Sequence, residues 1–303
     1  MRKRLIFGPV LIAIVILLCW ADQRIEGAAL APWLRPLFLG RDTAPPGTLL
    51  FLVGIALSWL AARELVRIMR DNGIKAAKRI TTTAAVAGLL VSAAIPDAWP
   101  AARAAAAVST AAVAVFVISL LYYTRNRTFE GIVGASGGTM LAFVYLGLMF
   151  GFLLAIRREH TVWVLLWVIF STKNCDTGAY FTGKAVGRRK LIVWLSPGKT
   201  WEGLAGGVAL ASLTGFIGLW LIRELGGANP ATIPPLWTGL IAGALFGLTG
   251  QAGDLIASLF KRDAGLKDSS HLLPGFGGVL DVIDSPLLVA PVAYWWLAAI
   301  HTG

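Results

Sequence analysis

The chain has 303 residues, of which 57% are apolar and 14% are charged, and its mean hydropathy is +0.73. These values exclude an ordinary soluble domain, because such a domain is about 45–50% apolar and about 25% charged. The net charge of +11 indicates basic cytoplasmic loops and attraction to anionic lipid. It does not indicate nucleic-acid binding, since the sequence contains no soluble basic domain. We therefore predict an all-α polytopic membrane protein.

Nine apolar stretches are predicted to form membrane-spanning helices. They cover residues 5–20, 48–69, 81–95, 104–123, 135–156, 161–180, 203–222, 236–260 and 279–300. With nine spans, most of the 27 Lys and Arg residues lie on the same side as the N-terminus. Because basic loops stay in the cytoplasm, this predicts a cytoplasmic N-terminus and an external C-terminus. The first stretch follows Arg2, Lys3 and Arg4, and a cleaved signal peptide is the alternative to a retained helix.

The sequence shows no fixed-period repeat and no linker long enough to separate soluble domains, so we expect one membrane domain over residues 1–303. Residues 1–156 are rich in Ala and Leu and are expected to form scaffold helices. Residues 157–303 place charges within or beside apolar stretches, which a membrane tolerates only where protein or water surrounds them. We expect this second part to be the catalytic half and to enclose a polar site near the cytoplasmic face.

Small residues recur at the spacing of helix contacts, and we assign them to packing rather than chemistry. They are Gly147 and Gly151, Gly243 and Gly247, and Gly203 with Gly206 and Gly207. The two cysteines, Cys19 and Cys175, form no CxxC pair, so the sequence does not indicate redox chemistry.

Carboxylates flank the loop between the last two predicted spans. Asp254 lies one helical turn before Ser258, and Asp281 and Asp284 are three residues apart at the start of the last span. A short loop makes these spans antiparallel neighbours, so the three carboxylates can converge. Mg²⁺ completed by phosphate oxygens is the usual partner of such a group. The alternatives are a salt bridge from Asp254 to a neighbouring span and a helix-start cap by Asp284.

The loop itself combines basic side chains with residues that permit tight turns. Lys261, Arg262 and Lys267 supply positive charge near the carboxylates. Backbone N–H groups can approach a ligand closely in the stretch that contains Pro274, Gly275, Gly277 and Gly278. This mixture suits a metal-bound polyphosphate. Contact of the basic side chains with lipid headgroups is the alternative.

A second motif, SPGKTWEG, occupies residues 196–203. Ser196 and Pro197 predict a helix start at this point. Lys199 and Thr200 would then offer a charge and a hydroxyl group at a helix N-terminus, where anions are favoured. The motif is predicted to face the same side as the loop between the last two spans.

A third motif, STKNCDTG, begins at Ser171. Its polar residues Lys173, Asn174 and Asp176 are predicted to end or interrupt the sixth span. Asp176 could contact a metal or a ribose hydroxyl. A simple pair between Lys173 and Asp176 at helical spacing is the alternative.

The three motifs together resemble the signature of the phosphatidate cytidylyltransferases, the CDP-diacylglycerol synthases. The matching residues follow in the family's order: Ser258, Lys261, Arg262, Lys267, Asp268, Pro274, Gly277, Gly278, Asp281 and Asp284. The resemblance runs from Asp176 to the last span. Two positions depart from the family pattern, with Phe276 in place of the usual His and Val282 in place of the usual Arg. These departures bear on the acceptor lipid more than on the metal or the nucleotide.

The resemblance implies transfer of a cytidylyl group from CTP to phosphatidate with Mg²⁺, in the cytoplasmic membrane, and a homodimer. It implies catalytic roles for Asp254, Lys261, Arg262 and Asp281, and metal binding by Asp254, Asp281 and Asp284. The implied substrate contacts are Asp176, Ser196, Lys199, Thr200, Ser258, Lys267, Asp268, Gly277 and Gly278. Two other functions stay open from the residues alone, a CTP-dependent lipid alcohol kinase and a cation- or proton-coupled transporter.

Overall fold

The structure, a computed structural model, consists almost entirely of helices. It describes residues 2–33, 35, 40–96, 98–125, 129–225, 234–273 and 275–301, without the side chains of residues 2–6 and 301. The helices are α1 Arg2–Ile25, α2 Thr48–Asp71, α3 Lys78–Ala94, α4 Ala101–Thr124, α5 Ile132–Ala142, α6 Met149–Glu159, α7 Val162–Val186, α8 Trp201–Leu225, α9 Trp237–Asp263 and α10 Leu280–His301. A π-helical segment, Phe143–Leu148, joins α5 to α6 without a break. Two short strands precede α8, β1 Lys190–Ile192 and β2 Ser196–Thr200.

Within the described residues, seven helical stretches are long and apolar enough to cross a membrane. They are Phe7–Ile25, Thr48–Asp71, Ala101–Thr124, Ile132–Glu159, Trp201–Leu225, Trp237–Asp263 and Leu280–Ile300. The prediction of an all-α polytopic membrane protein is therefore confirmed. The remaining two predicted spans coincide with α3, which has 17 residues, and with α7, which carries charged residues. The number of nine spans stays a prediction.

The chain divides into two compact units. Unit 1 contains Met1–Glu159 and Asp263–Leu280, and unit 2 contains His160–Arg262 and Asp281–Gly303. The loop that follows α9 thus belongs with the N-terminal helices. The single membrane domain over the whole chain stays a prediction.

Small side chains set the helix packing of unit 1. A Cβ atom on Gly147, in the π-helical segment, would lie 2.7 Å from the Cα atom of Gly88 on α3. Ser58 on α2 donates a hydrogen bond to the carbonyl oxygen of Leu146, at 3.0 Å. These close backbone approaches confirm the packing role predicted for Gly147.

A buried ion-pair group joins α1, α2 and α6 at one end of unit 1. The carboxylate of Asp22 is fully buried and accepts hydrogen bonds from the backbone N–H groups of Gly47 and Leu49, at 3.1 and 2.9 Å. It also accepts one from Arg157 Nε at 2.8 Å, and Arg157 Nη2 donates to Glu26 at 2.6 Å. A carboxylate at a helix start satisfies N–H groups that the helix leaves unpaired. The end of α1, the start of α2 and the end of α6 therefore lie together.

Glycines also bring the helices of unit 2 into close contact. A Cβ atom on Gly178 of α7 would lie 2.9 Å from the carbonyl oxygen of Gly206 and 3.0 Å from the Cα atom of Gly207, both on α8. Gly243 on α9 meets the backbone of Ala211 on α8 in the same way. The packing role predicted for Gly206, Gly207 and Gly243 is confirmed, and the resulting short interhelical distances draw the polar residues of unit 2 together.

The predicted helix start at Ser196 and Pro197 is wrong. Residues Ser196–Thr200 form β2, which pairs antiparallel with β1, and α8 begins at Trp201. Thr200 takes the capping position instead, since its Oγ1 atom accepts a hydrogen bond from the Gly203 N–H group at 3.1 Å. The hairpin pairing holds this segment extended and delays the helix.

Candidate active site

A row of alternating acidic and basic side chains runs through unit 2. Lys199 on β2 pairs with Asp254 on α9, with 2.6 Å between Nζ and Oδ2. The same Nζ donates to Gln251 Oε1 at 2.8 Å, and Gln251 Nε2 donates to Asp176 Oδ1 on α7 at 2.5 Å. The structure thus brings three predicted site residues together through Gln251. A salt bridge to Asp254 is therefore present, as in the alternative, but its partner lies on β2 and not on a neighbouring span.

Lys173 on α7 extends this row to α10. Its Nζ atom lies 3.7 Å from Asp176 Oδ2 and 3.8 Å from Asp284 Oδ1. It also donates to Ser285 Oγ at 3.4 Å. The pair between Lys173 and Asp176 predicted as an alternative is therefore present as well. We call this row the charged row: Lys173, Asp176, Lys199, Gln251, Asp254 and Asp284.

Lys173, Asn174 and Asp176 do not interrupt the helix, because α7 continues unbroken to Val186. That they end the sixth span stays a prediction. The polar side chains find partners on neighbouring helices without a break in the helix. Asn174 Nδ2, for example, donates to Thr214 Oγ1 on α8 at 3.0 Å.

One carboxylate oxygen of Asp284 is buried without a hydrogen-bond partner among the described residues. Its Oδ1 atom accepts hydrogen bonds from the Ser285 N–H group at 2.6 Å and from Ser285 Oγ at 3.0 Å. Its Oδ2 atom is buried and has no hydrogen-bond partner among the described residues. An unsatisfied buried carboxylate oxygen is costly, so this atom is suited to a cation or a donor brought by a ligand.

The residues present fit an oxygen-preferring cation such as Mg²⁺. Asp254 lies close enough to Asp176 and Asp284 for the carboxylates to interact electrostatically. However, no group of three or more His, Cys, Asp and Glu in the described part of the chain is arranged to hold a metal ion by itself. A metal would therefore need oxygen atoms from substrate or water to complete its shell, as Mg²⁺ commonly does.

Asp281, the third predicted metal ligand, is held by a lysine of its own. Its Oδ1 atom lies 2.6 Å from Lys261 Nζ, and the two side chains are only 8% and 9% exposed. Removing one partner from such a buried pair typically costs about 3–5 kcal/mol, because the other charge remains buried. The described residues contain no compact cluster of Asp254, Asp281 and Asp284; two of these carboxylates are instead paired with lysines, Asp254 with Lys199 and Asp281 with Lys261.

The other predicted site residues take less confined positions. In unit 2, Ser196 on β2 and Ser258 on α9 are half-buried, and Arg262 is exposed at the end of α9. In unit 1, Lys267 and Asp268 are exposed in the loop after α9. Their roles stay predictions.

The glycine pair of the loop is described, whereas Pro274 lies outside the described residues. Gly277 has a φ of +96°, and Gly278 is buried. Phe276, one of the two departures from the family pattern, packs its ring near Gly8 on α1. Val282, the other departure, is half-buried in the first turn of α10.

Two polar residues of functional interest were not identified from the sequence. Gln251 joins Lys199 to Asp176, and a neutral amide in a Gly-rich stretch carries no chemical signal of its own. Glu64 is a buried carboxylate of α2 in the half that was expected to be only scaffold. The rule that identified Asp254, an acidic residue inside an apolar span, would also have identified Glu64.

Comparison with known proteins connects this geometry with one family. The model of the cytidylyltransferase family matches residues 29–300. The chain is 36% identical over 198 residues to the phosphatidate cytidylyltransferase of Bacillus subtilis, covering 63% of this chain and 69% of that protein. It is 32% identical over 248 residues to the phosphatidate cytidylyltransferase of Staphylococcus saprophyticus, covering 81% of this chain and 88% of that protein.

A third relative is more similar over a shorter stretch. The phosphatidate cytidylyltransferase of Pseudomonas aeruginosa is 46% identical over 139 residues, which are 45% of this chain and 46% of that protein. The family match begins at residue 29 and so includes α2 to α6, where the sequence motifs gave no resemblance.

Proposed function

Because this chain belongs to the cytidylyltransferase family and is a nucleotidyltransferase, we propose that it transfers a cytidylyl group from CTP to phosphatidate. The products are CDP-diacylglycerol, for phospholipid synthesis, and pyrophosphate. The observation that carries the proposal is the charged row, in which acidic and basic side chains from four elements meet within a largely apolar bundle. Charged residues among membrane helices are costly and therefore rare, and those that occur usually have a function.

The proposed reaction is a displacement at the α-phosphorus of CTP. A phosphate oxygen of phosphatidate forms the new P–O bond, the bond between the α-phosphorus and the bridging oxygen breaks, and pyrophosphate leaves with that electron pair. A phosphate monoester has a second pKa of about 6, so the attacking group is already anionic near neutral pH. A strong general base is therefore unnecessary, and positioning with charge neutralisation supplies most of the rate.

Two lysines of the site can bind phosphate by exchanging partners, because each is paired with a carboxylate in the structure. Lys199 is paired with Asp254, and Lys261 with Asp281. Phosphate oxygens of CTP compete with these carboxylates for the same ammonium groups. We assign phosphate contacts to Lys199, Lys261, Arg262 and Lys267, and further substrate contacts to Asp176, Ser196, Thr200, Ser258, Asp268, Gly277 and Gly278.

We further propose that Asp254, Asp281 and Asp284 hold Mg²⁺. The partnerless Oδ2 atom of Asp284 and the nearby carboxylate of Asp254 support this assignment. When bound, the ion would neutralise phosphate charge that develops on the CTP leaving group. We also propose a homodimer in the cytoplasmic membrane with a cytoplasmic N-terminus and the site towards the cytoplasm.

The reaction is tested by following two phosphorus labels of CTP into the products. Purified protein in detergent receives phosphatidate, Mg²⁺ and CTP labelled either at the α- or at the γ-phosphorus. Cytidylyl transfer places only the α-label in lipid and releases the γ-label as pyrophosphate. In a parallel reaction with a lipid alcohol in place of phosphatidate, transfer of the γ-label to that alcohol with release of CDP would instead establish a CTP-dependent kinase. No transfer of either label, together with solute flux driven by an ion gradient in vesicles, would favour a transporter.

A further inference from the structure

Glu64 on α2 is a buried carboxylate that binds the loop between α9 and α10. Its Oε2 atom accepts hydrogen bonds from Ser269 Oγ at 2.8 Å and from the Leu280 N–H group at 2.9 Å. Its Oε1 atom accepts hydrogen bonds from Ser270 Oγ at 2.7 Å and from the Val279 N–H group at 3.0 Å. No Lys or Arg pairs with Glu64 in the part of the chain that the structure describes. Its burial as a charged group therefore depends on these four bonds.

The four donors come from both ends of the loop. Ser269 and Ser270 lie early in the loop, whereas Val279 and Leu280 lie where α10 begins. The first N–H groups of a helix have no partner within the helix, and a carboxylate placed there fixes the point at which the helix starts. Glu64 thus closes the loop and sets the start of α10 with the same carboxylate.

The glycine pair of the family signature is needed for this arrangement. A Cβ atom on Gly278 would overlap the Glu64 carboxylate and the Ser269 hydroxyl group. Gly277 adopts a φ of +96°, which side chains disfavour, and its carbonyl oxygen accepts a hydrogen bond from the Leu273 N–H group at 2.8 Å. One glycine therefore provides the backbone turn, and the other provides the space for the carboxylate.

We propose that Glu64 is a positioning residue for the reaction. It holds the loop that carries Lys267 and Asp268, and it fixes the start of α10 one residue before Asp281. This inference rests on the proposed function, because that function assigns the loop and Asp281 to CTP and the metal. Glu64 acts through the loop and needs no contact with substrate. Helix α2 therefore contributes to the chemistry in addition to scaffolding.

The test is Glu64→Gln, a substitution of the same shape. The substitution replaces one carboxylate oxygen by an NH₂ group, which cannot accept the hydrogen bonds of two of the donors. The loop should therefore open more often. Hydrogen–deuterium exchange in residues 264–280 is expected to rise at least tenfold, while the other helices keep their exchange rates. The kcat/KM for CTP is expected to fall at least tenfold through a higher KM for CTP. Glu64→Asp, which keeps the charge, should recover part of this loss.

The matched control is Glu130→Gln in the same unit. Glu130 is 85% exposed and pairs only at the surface with Lys75. Its replacement should leave loop exchange and the KM for CTP within twofold of the parent values. If Glu64→Gln does not fold, the double variant Ser269→Ala, Ser270→Ala removes two donors but keeps the carboxylate, and the same loop-confined change is expected.

Two results would overturn the proposal. One is a folded Glu64 variant with unchanged loop exchange and unchanged KM for CTP. The other is a loss of kcat with an unchanged KM and faster exchange throughout the protein, which would indicate only partial unfolding. Failure of the proposed function would be seen separately, because the parent protein would then release no pyrophosphate. The exchange comparison would still decide whether Glu64 holds the loop.

Discussion

Gln251 connects a lysine and an aspartate of the charged row because its side-chain amide both accepts and donates a hydrogen bond. Its carbonyl oxygen faces Lys199 and its amide NH₂ group faces Asp176. It therefore orients one basic and one acidic group at once, which neither Asp nor Lys could do at this position. The two partners also fix the orientation of the amide.

We expect Gln251→Leu to lower pyrophosphate release at least tenfold, because Lys199 and Asp176 each lose a partner that orients them. Gln251→Glu should also lower it, since a carboxylate accepts from Lys199 but repels Asp176. Steady-state kinetics with CTP and phosphatidate would measure both effects. The control is Gln23→Leu, at an exposed position of α1. Near-parent kinetics for Gln251→Leu would show that the bridge has no part in the reaction.

At the scale of elements, close packing of α7 against α8 positions the charged row. Gly207 on α8 faces α7 so closely that a Cβ atom there would lie 2.5 Å from the carbonyl oxygen of Cys175. Because the obstacle is backbone, a side chain cannot be accommodated without a shift of the helices.

We predict that Gly207→Ala destabilises the protein and reduces activity, because it separates α7, with Lys173 and Asp176, from its neighbours. The expected loss of stability is about 1–3 kcal/mol, as for other overpacked sites. Thermal unfolding in detergent and pyrophosphate release would measure the two effects. Gly137→Ala on α5 is the control, since a Cβ atom there has no neighbour within 4 Å. It should be neutral or slightly stabilising. Equal behaviour of the two variants would contradict the packing argument.

The sequence predicted the helices of the fold well because an apolar run of sufficient length has few other structures available in a membrane. It failed where tertiary contacts override local preference. Ser196 and Pro197 are good helix-start residues, yet pairing with β1 holds them in a strand. Lys173 and Asp176 are poor residues for an apolar helix, yet partners on α9 and α10 let α7 continue.

The sequence predicted the charged residues of the candidate site, but not which acidic side chain pairs with which lysine. The spacing of Asp281 and Asp284 places both in the first turns of α10, as the structure shows. Spacing alone could not reveal that Lys261 holds one and that Lys173 lies near the other. Glu64 could have been identified as an acidic residue in an apolar span, but its partners could not, because they lie more than two hundred residues away along the chain.

At the scale of the whole molecule, the ion pair between Asp22 and Arg157 supports a membrane crossing by α3, one of the two predicted spans that are not among the seven. It brings the end of α1 and the end of α6 together within unit 1. If α3 did not cross the membrane, these two helix ends would lie on opposite sides of it. The 17 residues of α3 span about 25 Å, close to the roughly 30 Å of the hydrocarbon core.

Single-cysteine labelling in intact cells would decide whether α3 crosses the membrane, as the nine predicted spans require. With the buried Cys19 and Cys175 replaced by Ala, a membrane-impermeant maleimide should label His160→Cys but not Glu130→Cys if nine spans are correct. Seven spans with the same cytoplasmic N-terminus predict the opposite. Labelling after cell lysis, which should reach both positions, is the control for accessibility.

The carboxylates of the site are proposed to support cytidylyl transfer to phosphatidate. The most direct measurement is pyrophosphate release by purified protein given CTP, Mg²⁺ and phosphatidate, for the parent chain, Asp254→Asn and Asp281→Asn. We predict release that requires all three components and that falls about a hundredfold or more in each folded variant, as expected when charge stabilisation is lost. Release by either variant at nearly the parent rate would contradict the assigned roles, and no release by the folded parent chain would contradict the proposed reaction.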